Sequence, residues 1–82
     1  MRDGRRDTLR ILSDMLEGMI EPRRITHLLH YSNLSYTHLS KYLKMVITMG
    51  LVKEQTKPFH SYQITNDGKY FMYLVNKRQD KN

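Results

Sequence analysis

The side chains able to do chemistry in this sequence are mostly cations, and their placement says more than their number. From Pro22 to Lys53 there is no Asp or Glu, yet the stretch carries Arg23, Arg24, Lys41, Lys44 and Lys53 with three of the four histidines, His27, His30 and His38. Elsewhere the two signs are mixed, and the net charge is +6. A one-signed surface suits a polyanion, whereas a mixed one is merely solvated. Other chemistries find less support. His27 and His30 lie three apart, with His38 and His60 as conceivable companions, but no spacing fixes four ligands and there is no cysteine, so no metal is expected. Asp14, Glu17 and Glu21 fit the solvent side of one amphipathic segment and offer acid–base catalysis little. With neither a glycine-rich phosphate loop nor a nucleophile motif, no cofactor and no catalytic residue is expected, and the chain reads as a binder rather than an enzyme.

Those cations must be held by a small scaffold. The 82 residues make a single domain, 1–82, with room for one modest core. At 39% hydrophobic and 27% charged the composition is that of a folded domain, and without cysteine packing alone must hold it. No apolar run reaches the roughly 18 residues a bilayer requires, and residues 1–7 lack the apolar centre of a signal peptide, so a cytoplasmic protein is expected.

Apolar periodicity divides the chain. Leu9, Ile11, Leu12, Met15, Leu16, Met19 and Ile20 fall on one stripe and predict a helix over 7–20, with Asp3 or Asp7 near its start. Pro22 opens a second, short helix through Ile25, Leu28 and Leu29. Residues 32–35 then make a turn from which Leu34 can enter the core. Ser35 caps a third helix, spanning about 35–49, that buries Leu39, Tyr42, Leu43, Val46 and Ile47 and stops at Gly50. Residues 51–56 and 60–64 read as two strands around the turn Lys57-Pro58-Phe59. Thr65 or Asn66 caps a last helix of about 67–77 with a polar end at 79–82.

The run Asn33-Leu34-Ser35-Tyr36, then Leu39, Lys41-Tyr42-Leu43, Gly50-Leu51-Val52, and finally Tyr62-Gln63-Ile64-Thr65 with Gly68-Lys69, resembles an archaeal winged helix-turn-helix family. That family comprises small basic chromatin-like proteins and predicted transcriptional regulators. The likeness extends over nearly the whole chain and is carried by order and spacing rather than by any single motif. It implies a mainly α winged helix-turn-helix fold with a small β-hairpin: helix, helix, turn, helix, hairpin wing, helix. It also implies double-stranded DNA as partner, nucleoid association and a dimer. Family members often dimerise through a long C-terminal antiparallel coiled coil; only fourteen residues follow Gly68 here, so an extended coiled coil is not expected.

In such a fold the third helix enters the major groove. At about 100° per residue its outer face carries Thr37, Lys41, Lys44 and Thr48, flanked by His38 and Met45. Tyr36, in the first turn, either packs against the second helix or leans into the groove. The amides at Ser35 and Tyr36 suit a phosphate, Arg23 and Arg24 the backbone beside the second helix, and the wing at about 56–61, with Lys57 and His60, the adjacent groove. Arg5, Arg6 and Arg10 are further phosphate candidates. No Arg, Asn or Gln lies on the outer face of the third helix, so broad or weakly specific binding is expected. Residues 70–75 are six apolar or aromatic residues in a row, more than one stripe can bury. Tyr70, Phe71, Leu74 and Met72 can complete the core, while Tyr70, Met72, Tyr73 and Val75 are the candidates for a homodimer interface. The competing reading is a winged helix that mediates protein contacts.

Overall fold

The computed structural model describes residues 8–80, with side chains described through residue 77. Asp3, Asp7, Arg5 and Arg6, and residues 81–82 of the expected polar end, lie outside the described residues. Helix α1, Thr8–Glu17, buries Leu12, Ser13, Met15 and Leu16. It ends earlier than its apolar repeat. The Gly18 and Met19 amides tighten onto the Met15 and Leu16 carbonyls, and the Met19 carbonyl is taken by the Ile64 amide at 2.8 Å. Met19 is therefore a core residue outside the helix, and Ile20 is turned to solvent.

Pro22 does not open the second helix directly. Arg23 first pairs with Tyr62 through two backbone bonds of 2.9 and 3.0 Å, and only then does α2, Ile25–Ser32, begin. Asn33 closes α2 in the left-handed conformation, φ 59°. Helix α3, Tyr36–Thr48, has Ser35 as its cap and buries Leu39, Leu43 and Val46. Beyond it Gly50 takes φ 79° while its amide donates to the Ile47 carbonyl and that of Leu51 to Val46. This is a Schellman ending, and the left-handed residue it needs is the glycine.

Strands β1, Val52–Gln55, and β2, Ser61–Ile64, form an antiparallel hairpin with Val52 opposite Ile64 and Glu54 opposite Tyr62. Because Met19 and Arg23 bond to the far edge of β2, that strand has backbone partners on both sides. Thr65 resolves the choice of cap: its Oγ1 accepts from the Gly68 amide at 3.1 Å and donates to the Gly50 carbonyl at 2.7 Å.

Helix α4, Asn66–Asp80, extends past the expected end and packs along α1, where Arg10 and Ser13 both donate toward Asn76 Oδ1. Its inward stripe is Gly68, Phe71, Met72 and Val75. Two expectations are corrected here. Val75 is only 5% exposed, so it belongs to the interior and is no surface for a partner; Tyr70 and Leu74 point outward instead of completing the core. The cause is rotational phase, since Gly68 lies so close to the Leu51 carbonyl that this face of α4 must be turned in.

Candidate nucleic-acid interface

The exposed face of α3 is built by its own periodicity. With Leu39, Leu43 and Val46 buried, Thr37, His38, Lys41, Lys44 and Thr48 are left in solvent, and Met45 is half-buried at their margin. Neither α3 nor α2 contains a carboxylate. Tyr36 is 61% exposed, so its ring is not buried against α2. Ser35 Oγ accepts from the His38 amide at 3.3 Å and lies 3.1 Å from His38 Nδ1, so the cap also orients that imidazole. Lys41 Nζ stands 5.7 Å from the Tyr42 ring centre, and its charge stays in water.

The arginines ahead of α2 are held differently from one another. Arg23 is fixed through its backbone, and its guanidinium is 3.9 Å from Glu21, which partly offsets its charge. Arg24 is exposed, and its guanidinium lies 4.4 Å over the Phe59 ring. A guanidinium stacked on an aromatic face keeps its donors free for an anion.

At the wing, Lys57 is exposed at the tip. His60 is exposed too, but its Nε2 is 2.5 Å from Glu54 Oε2 and 3.2 Å from the Tyr62 hydroxyl. A carboxylate so close makes His60 a poorer cation for a polyanion than its position suggests. Burial, then Glu54, then Tyr36 push the Tyr62 phenol above its ordinary range, so it stays protonated at neutral pH.

Ser35, Tyr36, Thr37, His38, Lys41, Lys44 and Thr48 thus share one helix and its cap; Arg23 pairs with β2 at Tyr62, and Arg24, over Phe59, stands beside the wing tip that carries Lys57 and His60. Arg10 lies elsewhere, on α1 beside Asp14 and Asn76. Phe59 was not legible as a site residue. A half-buried aromatic beside a turn proline reads as packing until Arg24 is seen upon it. Glu54 was missed because the diagonal pairing that brings it to His60 depends on the hairpin register. Among the described residues no cluster of three or more histidine and acidic side chains could hold a metal ion. No described helix is long and apolar enough to cross a membrane.

Two helices joined by a turn, with the second exposing a basic face and a β-hairpin following it, define the winged helix-turn-helix class. A family model described as winged helix-turn-helix matches residues 5–82, and the chain belongs to that family. Among solved structures it is similar to Sso10a-2, a DNA-binding protein from Sulfolobus solfataricus. The TM-score is 0.83 at 24% identity, over 92% of this chain and 80% of that one. No curated protein matches the sequence significantly.

Proposed function

We propose that this winged helix binds double-stranded DNA, with α3 in the major groove and the wing on the adjacent groove or backbone. The observation that carries this reading is the acid-free stretch from Pro22 to Lys53, folded so that Thr37, Lys41, Lys44 and Thr48 occupy one exposed helix face. The DNA-binding character of Sso10a-2, which shares the fold, supports it. The groove-facing groups favour phosphates over base edges: lysine is a point charge without the planar fork of arginine, and threonine reaches either a thymine methyl or a phosphate. We therefore read the protein as a DNA binder of low sequence selectivity rather than a catalyst. It would act as a chromatin-like architectural protein or a broad transcriptional regulator in the cytoplasm, associated with the nucleoid. Its charge supports a polyanionic partner over a protein partner.

If six or so cations meet phosphates, log K for a random duplex should fall against log salt with a slope near −5, each contact contributing about −0.9. Lys41→Ala with Lys44→Ala should make that slope shallower by about 2 and weaken binding at least tenfold at low salt. Fluorescence anisotropy at several salt concentrations measures both quantities. A slope near zero, or unchanged affinity in the double variant, would remove α3 from the interface.

A homodimer through α4 is part of the same proposal, with its residues revised by burial. Tyr70, Tyr73 and Leu74 are exposed, Met72 is half-buried and Val75 is interior. The Tyr70 and Tyr73 rings lie 6.4 Å apart and nearly parallel, with Lys77 Nζ 5.8 Å from Tyr73. This apolar strip supports α4 as the contact.

A further inference from the structure

A shallow groove of about 370 Å³ runs between the first turns of α2 and the wing tip, and the reading of α3 does not use most of what lines it. Arg24 with Phe59 lines it, together with His27 and His30, one helical turn apart on α2. No carboxylate lines it. A second groove, lined by Arg24, Thr26, His60 and Tyr62, adjoins it through Arg24 and Thr26. The two grooves together run along the start of α2 and the wing, from His30 to Tyr62 on β2.

We infer that the groove between α2 and the wing tip is a second phosphate-binding site, in which Arg24 is the permanent anion contact and His27 and His30 add charge that depends on protonation. Phe59 is a positioning residue: its ring at 4.4 Å holds the guanidinium over the groove and leaves its fork of donors to the phosphate. The inference rests on the DNA-binding reading and extends it from α3 to the surface shared by α2 and the wing.

The groups around the two imidazoles set the sign of the effect. His27 stacks on Tyr31, centroids 6.3 Å apart, and both line a neighbouring groove with Glu17, Glu21 and Arg23. His30 lines the same groove as Arg23 and Arg24. A phosphate dianion or diester in the groove attracts the protonated form of an imidazole that lines it more than the neutral form. Binding phosphate therefore favours proton uptake, and by linkage DNA affinity rises as pH falls through the histidine range of roughly 5 to 8.

The test is anisotropy with a random duplex at fixed salt, at pH 6 and pH 8. The wild-type protein should bind about tenfold more tightly at pH 6, and His27→Gln with His30→Gln should remove most of that change. Arg24→Ala should weaken binding at both pH values. Phe59→Leu should weaken it less and add little on top of Arg24→Ala, the coupling expected of a residue that acts through another. A pH response that survives in the His27/His30 variant and disappears in His38→Gln would locate the proton on α3 and overturn the inference. Loss of binding in the Lys41/Lys44 variant with full affinity in Arg24→Ala would overturn it while sparing the DNA reading. If no duplex binds, titration with inorganic phosphate followed by NMR of the His27 and His30 ring resonances separates the two ideas. Saturable shifts would keep a site for a free phosphate or nucleotide, and unmoved resonances would end it.

Discussion

Gly50 and Gly68 flank the hairpin, one before β1 and one after β2, both at its open end, and the structure needs each for a different reason. Gly50 has φ 79° and nothing within 4 Å of where a Cβ would stand, so its requirement is purely conformational. At Gly68 a Cβ would be 2.2 Å from the Leu51 carbonyl oxygen and 2.6 Å from an Ile64 side-chain carbon. Backbone cannot swing away as a flexible side chain can. Gly50→Ala should therefore cost about 1 kcal/mol, the penalty for a left-handed alanine, and Gly68→Ala about 3 kcal/mol, since α4 must shift to admit the methyl. Urea unfolding of the two variants checks the order, and equal losses would contradict it. Tyr62 gives a second prediction at this scale. Its phenol is held above its ordinary value by burial first, then by Glu54 and Tyr36, so the folded state holds that proton more tightly than the unfolded chain. The associated stability is fully present below about pH 10 and is lost as pH rises through the higher folded value. Melting temperature should fall on the alkaline side, and Tyr62→Phe should fall less. Tyr31 is raised in the same direction by burial, then Glu17 and Asp14, but it is 47% exposed and its contribution is correspondingly smaller. An alkaline fall as steep in Tyr62→Phe as in the wild-type protein would assign the effect elsewhere.

At the scale of elements, the helices were legible where their own side chains decide them. Ser35 as a cap, Gly50 as a stop and the buried stripe of α3 all follow from local rules, and the exposed Thr37, Lys41, Lys44 and Thr48 follow by subtraction. What escaped the sequence was decided by backbone pairing between distant segments. Met19 continues the apolar repeat of α1, yet its carbonyl belongs to Ile64, and Arg23 pairs with Tyr62 before α2 can start. Periodicity registers side chains and cannot see such bonds. The phase of α4 was ambiguous for a related reason, because six consecutive apolar residues suit several rotations. One local signal could have fixed it. Taking Gly68 as the point of close approach puts Phe71, Met72 and Val75 inward at i+3, i+4 and i+7, the stripe observed, and leaves Tyr70, Tyr73 and Leu74 outside. The candidate site divides along the same line: the α3 face was readable as a set, whereas Phe59 under Arg24 and Glu54 beside His60 depend on where the hairpin folds back.

For the molecule as a whole, the question is how a domain with modest base readers gains affinity. The described chain measures 42 × 26 × 19 Å and exposes one basic helix face, that of α3, so on the proposed reading a single copy engages one major groove. Two copies joined symmetrically could place two such helices about 34 Å apart, one turn of duplex, and would double the cations meeting phosphates. The exposed Tyr70, Tyr73 and Leu74 lie on the outer side of α4, away from the residues that pack inward, so they can meet a partner without disturbing the core. Sedimentation velocity at roughly 50 µM should then show a dimer, and Tyr73→Glu with Leu74→Glu should convert it to a folded monomer. That variant keeps the α3 face intact, so its loss of DNA affinity would measure the avidity of the second copy, expected to be about a hundredfold on a duplex long enough for both. On a duplex too short for two copies the wild-type protein and the variant should bind alike, because only one recognition helix can then be used. A wild-type monomer at that concentration, with affinity independent of duplex length, would mean that each copy holds DNA alone and that the aromatic strip of α4 serves another purpose.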